Sequence, residues 1–412
     1  MKLYIDPGTG SMLFAILIGL LGTAAFFLRN VFVKLRFLLS GGAKEKSAES
    51  DRSRYVIFSD HKRYWNTFEP ICDEFEKRGE ALAYLTASPD DPALQKRYEH
   101  VTCTFIGEGN RAFAKLNFLK ADVLLSTTPG LDVYQWKRSK DVRRYVHVLH
   151  SANDVTGYRM FGLDYYDAVL LSGAYQADQI RALERLRNLP PKELVLAGLP
   201  YLDAMKKRLD ASEPDGEHRT TVLLAPSWGE SGILKRFGGA IIGKLLETGY
   251  QIIVRPHPQS LVSEKTMIEK LMKEYPASEN LEWNRDNDNF DVLKRSDVMI
   301  SDFSGVIFDF ALVFQKPVIY ADTSFDKSPY DAWWLDEEMW TFTTLPKIGK
   351  KLDRENLTNI KPLIDRMLSD PEYRNALQQA REEAWVHVGE AAERIADYMI
   401  GSGRTPETAR DA

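Results

Sequence analysis

The chain has 412 residues, enough for two domains of ordinary size, and its 44% hydrophobic and 27% charged content excludes a disordered or low-complexity protein. A net charge of -5, with the basic residues spread rather than blocked, gives no sign of nucleic-acid binding, so an anionic ligand has to be held locally. The two cysteines, Cys72 and Cys103, show neither metal-ligand spacing nor a secreted disulfide framework, and they fit a reducing cytoplasm.

Residues 12–28 form a charge-free apolar run, and residues 31–33 extend it past Arg29, whose long side chain can snorkel. The run reads as a transmembrane anchor. Arg29, Lys34 and Arg36 follow it and only Lys2 precedes it, so the positive-inside rule predicts a single-pass protein of the cytoplasmic (inner) membrane with cytosolic catalytic domains. A cleaved signal peptide is the weaker alternative, because the flank after the run is basic and apolar rather than a small-residue cleavage site. Residues 37–39 are expected along the interface, followed by a polar linker over 40–53, so residues 1–50 are read as anchor and linker.

From Arg54 onward short apolar strands alternate with helical stretches. Strands are expected at 55–59, 82–85, 102–106, 123–126, 146–149, 168–171 and 194–197, with helices such as 67–78 and 112–119 between them. Such alternation implies a parallel sheet covered on both faces. The polar piece 210–219, with Pro214 and Gly216, reads as a linker between a first domain (51–210) and a second (211–412). The second series has strands at 221–225, 251–254, near Leu281, at 298–301 and at 318–321, with helices at 238–248, 264–274 and 306–315. A last helical stretch, 375–399, is expected to brace the two domains. The fold class is therefore α/β, with two doubly wound Rossmann-type domains facing a cleft, and ligands in such sheets bind beyond the carboxyl ends of the strands.

Polar residues fall at those strand ends. His150, Ser151, Asn153 and Asp154 follow one strand, Pro226, Ser227 and Trp228 another, and Arg255, Pro256 and His257 a third. Residues 298–322 read as strand, tight polar turn, helix and strand, placing Asp302, Ser304 and Gly305 where a helix begins. Unpaired N–H groups and partial positive charge suit that junction to a phosphate, with the Ser304 hydroxyl and the close approach allowed by Gly305 adding to it. Asp309 lies about one turn further along the same face. The plainer reading is that Asp302 or Ser304 caps the helix.

Arg255 and His257 flank a proline, so an extended segment aims both the same way, towards one anion. His150 is either a packed core histidine or a general base, and His147, three residues earlier, is expected on the opposite face. His61, His100, His218 and His387 have no companions at metal-ligand spacing, so no zinc site is supported. No Walker A or G-x-G-x-x-G sequence is present, and Gly229 with Gly232 forms only G-x-x-G. Trp333, Trp334 and Trp340 with Tyr330 read as core, as a lid or as a platform for a base.

The stretches IVRPHP (253–258), SDFSGVIFDF (301–310) and KPVIYAD (316–322) resemble the CDP-glycerol glycerophosphotransferase family of teichoic-acid-type polymer synthesis. GLPYLD (198–203), LLAPSW (223–228) and the His150 turn extend the similarity over roughly residues 145–345. The resemblance implies a GT-B-like fold and transfer of glycerol phosphate, or a related polyol phosphate, from a CDP-activated donor to a hydroxyl of a lipid-linked or saccharide acceptor. CMP is released, at the inner face of the membrane. It implies that His150 is a candidate base, that Arg255 and His257 contact the donor phosphates, with His150 and His257 the catalytic residues, and that Ser304, Gly305, Asp302 and Asp309 belong to the donor-binding wall. Ser151 stands where the family has glycine after the histidine, no lysine follows before Lys192, and Gly305 stands where the family has a second serine. No cofactor is implied; magnesium could shield the diphosphate, but no carboxylate cluster requires it. The alternatives are a GT-B glycosyltransferase using a nucleotide sugar and a catalytically silent, membrane-tethered nucleotide-binding scaffold.

Overall fold

The computed structural model describes residues 52–403 apart from 215, 287, 322, 323, 370 and 371. The expected anchor at 12–28 and the interfacial stretch 37–39 lie outside the described residues. No helix among the described residues is long and apolar enough to cross a membrane.

The first series runs β1 (Ser53–Ser59), α1 (Trp65–Arg78), β2 (Leu82–Thr86), β3 (Val101–Phe105), α2 (Asn110–Leu116) and β4 (Ala121–Ser126). It continues through β5 (Val142–Val148), β6 (Ala168–Leu171), α3 (Ala174–Arg187), β7 (Glu193–Leu196) and α4 (Pro200–Ala211). These strands make a seven-stranded parallel sheet in the order β3-β2-β1-β4-β5-β6-β7. Tyr55 pairs with Leu82 on one side and Val123 on the other, so β1 is buried on both faces, which its unbroken run YVIFS anticipates.

The second series is β8 (Thr221–Ala225), α5 (Ile233–Phe237), α6 (Ala240–Leu246), β9 (Gln251–Val254), α7 (Ser260–Ser263), α8 (Lys265–Glu274) and β10 (Leu281–Trp283). After these come α9 (Phe290–Lys294), β11 (Val298–Ser301), α10 (Val306–Asp309), β12 (Val318–Ala321), α11 (Trp340–Ile348), β13 (Gly349–Leu352), α12 (Arg354–Thr358) and α13 (Lys361–Ser369). Their sheet is ordered β10-β9-β8-β11-β12-β13 and is also parallel. α10 gives way to a π-helical turn, Phe310–Phe314, that ends at Gln315 in the left-handed region (φ 53°).

Two elements differ from expectation. β13 was not foreseen, because its GKKL sequence exposes both lysines and shows no apolar run; charge of that kind protects an edge strand. The expected single helix over 375–399 is two helices, α14 (Tyr373–Ala384) and α15 (Ala391–Gly403). They part where His387 (φ 52°) and Gly389 (φ 86°) take left-handed conformations. α15 returns to the first sheet, and Ile395, Ala396 and Met399 pack in one apolar cluster with Tyr55, Ile57, Phe68 and Phe75.

A second apolar cluster is continuous between the two sheets. It runs from Val56, Phe58 and Tyr145 through Phe308, Phe310 and Trp385 to Leu223, Ile253 and Met299. Buried and half-buried carboxylates tie the same junction. Asp154, after β5, accepts hydrogen bonds from Trp340 N (2.7 Å), Thr341 N (2.9 Å) and Thr341 Oγ1 (2.6 Å) at the start of α11. Asp331 accepts from the backbone of Phe161 (2.8 Å) and Gly162 (3.3 Å) and pairs with Arg187. Asp203 accepts from Trp385 Nε1 (2.8 Å), Gly389 N (2.8 Å) and Ala391 N (2.9 Å), fixing the break between α14 and α15.

Removing one acceptor from such a site leaves several buried donors unpaired. Asp154→Ala is expected to cost about 3 kcal/mol of stability, read as a lower urea midpoint. A loss below about 0.5 kcal/mol, the size of an ordinary surface substitution, would show that the junction does not depend on this staple.

Candidate functional site

The carboxyl ends of both sheets open onto a cleft with two adjoining cavities, of about 400 Å³ and about 580 Å³. His150, Arg255, His257, Ser304, Gly305 and Asp309 all line the first. His150, His257, Ser304 and Gly305 also form the wall shared with the second. Asp302 lines neither.

The expected placement of Asp302 against a ligand is therefore corrected. Its carboxylate is buried and accepts from Ser227 N (3.0 and 3.1 Å), Ile233 N (2.9 Å) and Ser304 N (3.2 Å). It holds the loops after β8 and β11 together. Burial pushes its pKa up, while these N–H groups hold it down.

The turn that Asp302 fixes presents Ser304 and Gly305 to the cavity. Among the described residues, the N–H groups of Gly305 and Val306 and the Ser304 hydroxyl make no hydrogen bond, whereas Ile307, Phe308 and Asp309 N are used within the helix. Gly305 has an ordinary helical φ of -55°, so its reason is space. A Cβ there would stand 3.1 Å from Nδ2 of Asn153, which reaches across from the loop after β5.

Opposite, Arg255 donates through Nη1 to Asn284 and through Nη2 to the Asp286 carbonyl (2.8 Å), which orients its guanidinium. His257 accepts from Gln259 N at Nδ1 (3.1 Å), so its neutral ring carries the proton on Nε2 and is a hydrogen-bond donor. His150 is bonded through Nδ1 to Thr127 Oγ1 (2.7 Å), leaving Nε2 as the ring nitrogen available to a ligand. Burial, with Arg63 nearby, lowers the pKa of both histidines to about 4, so both are neutral at pH 7. His147 is wholly buried, with Nε2 3.1 Å from the Tyr158 hydroxyl, and the Tyr158 ring also packs against His150 (6.3 Å).

Asp309 lies at the cavity floor with Oδ1 buried and unpartnered, and burial raises its pKa to about 7, against hydrogen bonding from Tyr201 and Asn289. Tyr201, from GLPYLD, donates to Asn289 (3.0 Å). Gly198 in the same stretch has φ 91°, and a Cβ there would lie 2.8 Å from the Val386 carbonyl, so the chain passes too closely for any side chain. Of the aromatic group, Tyr330 lines the second cavity, Trp340 stacks on Tyr175 (4.6 Å), and Trp333 and Trp334 line neither cavity. Sequence reasoning missed Arg63, Tyr64, Tyr201 and Asn289, which also line the first cavity. Only the position of Arg63 and Tyr64, shortly after a strand, could have signalled them.

Two sheets thus bring a neutral histidine bonded through Nδ1, a cationic fork, a histidine donor and a helix start to one cavity. The family described as CDP-glycerol:poly(glycerophosphate) glycerophosphotransferase matches residues 163–400. The chain belongs to that family. It is a glycerophosphotransferase, and family membership decides for glycerophosphoryl transfer over the nucleotide-sugar and silent-scaffold alternatives. Its fold is similar to that of the wall teichoic acid polymerase TagF soaked with CDPG, at 15% identity and a TM-score of 0.56 over 92% of this chain and 97% of that one. It is also similar to a putative UDP-N-acetylglucosamine 2-epimerase from Listeria monocytogenes (14%, TM-score 0.54, 84% and 94%). The UDP-GlcNAc 2-epimerase of Neisseria meningitidis bound to UDP-GlcNAc is a third (14%, TM-score 0.52, 85% and 100%). No curated protein matches the chain by sequence.

Two pH effects follow from these environments. A histidine with its folded pKa lowered from 6.5 to about 4 binds fewer protons than the unfolded chain between those values. Its contribution is lost as pH falls through that window. His150→Gln should therefore flatten the acid side of the stability–pH curve, and an unchanged slope between pH 6.5 and 4 would contradict this. Asp309 has the opposite sign: its folded pKa is raised from 3.8 to about 7, so the folded chain binds more protons between those values and stability is lost as pH rises through that window. Asp309→Asn should gain stability over the native protein between pH 5 and 8 in a urea titration, and a loss on that path would overturn the assignment.

Proposed function

We propose that the cleft transfers glycerol phosphate from CDP-glycerol to a hydroxyl of a membrane-associated, lipid-linked or saccharide acceptor in cell-envelope polymer synthesis. The observation that carries this reading is the convergence of His150 from the first sheet with Arg255, His257 and the Ser304–Gly305 turn of the second on one cavity. Arg255, the Nε2–H of His257, the Ser304 hydroxyl and the N–H groups of Gly305 and Val306 hold the diphosphate. Asp309 accepts a hydrogen bond from a donor hydroxyl. The acceptor oxygen attacks the phosphorus that bears glycerol, the bond from that phosphorus to the CMP oxygen breaks, and the acceptor proton passes to Nε2 of His150. Such a reaction needs positioning and charge stabilisation rather than a covalent enzyme intermediate.

In this reading residues 51–210 form the acceptor domain and 211–412 the CDP-donor domain. Residues 12–28 anchor the chain so that the cleft works on the cytosolic face of the membrane.

The test is release of CMP or UDP by purified protein supplied with membrane extract and CDP-glycerol, CDP-ribitol or UDP-sugars. CMP release is expected with CDP-glycerol, reduced roughly 100- to 10,000-fold in His150→Ala. His257→Ala and Ser304→Ala should chiefly weaken donor binding, about ten-fold for each lost hydrogen bond to the charged diphosphate. UDP release alone would sink the polyol-phosphate reading, and activity indifferent to both histidine substitutions would discard the site.

A further inference from the structure

Both sheets reverse their strand order beside a central strand, between β1 and β4 in the first and between β8 and β11 in the second. Each crevice carries an aspartate immediately after a strand, Asp60 after β1 and Asp302 after β11. Their states are opposite. Asp302 is saturated by backbone N–H groups, whereas Asp60 has the Thr128 hydroxyl as a neighbouring side-chain donor and its Oδ1 is withdrawn from solvent without a well-formed hydrogen bond. Asp60 lies on the wall of the 580 Å³ cavity.

Three residues on, Arg63 lines both cavities. Among the described residues it makes no ion pair with a carboxylate; its guanidinium lies over the Tyr64 ring at 4.9 Å, and that ring packs against His150 at 4.8 Å. The cavity wall beyond includes Tyr158, Phe325, Tyr330 and Phe342. A dry carboxylate oxygen needs a proton donor, and an unpaired arginine at a cleft mouth suits an oxyanion. The two groups repel or attract opposite chemistries, so one ligand serves both only if it carries a hydroxyl and an anionic group at separate atoms.

We propose that Asp60 and Arg63 form an acceptor subsite, in which Asp60 takes a hydrogen bond from a hydroxyl of a terminal polyol and Arg63 binds the phosphodiester that links that polyol to the rest of the acceptor. This rests on the reading of His150 and the donor wall given above. The terminal polyol is then held beside His150, with the chain behind it running out along the aromatic wall.

The experiment uses the full chain with saturating CDP-glycerol and two acceptors, a short oligo(glycerophosphate) and free glycerol, together with calorimetric binding of CDP-glycerol alone. Asp60→Asn is expected to raise KM for both acceptors, and Arg63→Gln for the oligomer only, each by roughly ten-fold or more. Arg63→Lys should recover part of the oligomer effect, and the donor Kd should stay within about two-fold in Asp60→Asn, because Asp60 lines only the second cavity, a shift far smaller than the ten-fold loss of one charged hydrogen bond. Arg63 is exposed, so its variants keep the test open if Asp60→Asn folds poorly. Unchanged acceptor KM in Arg63→Gln, or a ten-fold weaker donor Kd with acceptor KM intact, would overturn the subsite. A native protein that fails to bind CDP-glycerol would overturn the donor reading first, and the subsite with it.

Discussion

The carboxylate of Asp302 fixes the cleft wall formed by the loops after β8 and β11. A buried anion would be costly alone, but here Ser227, Ile233 and Ser304 bring their backbone N–H groups to it within 3.2 Å. One group therefore sets the paths of the loops after β8 and β11. Because Ser304 N is turned inward to Asp302, the next N–H groups and the Ser304 hydroxyl are left for the cavity. The aspartate shapes the cavity only through the backbone it holds.

The same contrast between satisfied and unsatisfied carboxylates sorts the other buried and half-buried aspartates. Asp154, Asp203 and Asp331 are filled by donors from distant parts of the chain and fix the two sheets against each other. Asp60 and Asp309 each keep an oxygen without a well-formed hydrogen bond, and both face a cavity. Burial alone does not distinguish the groups; the hydrogen-bond inventory does. With an apolar cluster continuous through the junction, the cleft walls meet at a fixed spacing, which is why a Cβ on Gly305 would already crowd Asn153 from the other side.

Most of the sheet strands were legible because parallel strands covered on both faces must be apolar throughout, as at 55–59 and 221–225. The wall of the cavity was legible for a related reason: His150, Arg255, His257 and Ser304 follow strands closely, and strand ends are where such sheets bind ligands. What stayed hidden depends on tertiary partners. β13 is an edge strand whose lysines carry no apolar signal, and the break before α15 needs Asp203, nearly two hundred residues earlier, to cap it. Asp302 could not be told from a ligand group, because a cap and a phosphate-side carboxylate occupy the same place in sequence. Arg63 carries no motif, and its meaning comes only from the cavities on which it lies.

The two histidines show how little a titration value says about role. Burial and Arg63 bring both to about the same pKa, near 4, so composition and charge would make them interchangeable. Their Nδ1 partners separate them. A backbone N–H can only donate, so Gln259 forces His257 to keep its proton on Nε2, where it can meet a phosphate oxygen but cannot accept a proton. A threonine hydroxyl can accept, so Thr127 lets His150 carry its proton on Nδ1 and leave a lone pair on Nε2. One backbone amide and one hydroxyl are sufficient to leave one ring a donor and the other an acceptor at Nε2.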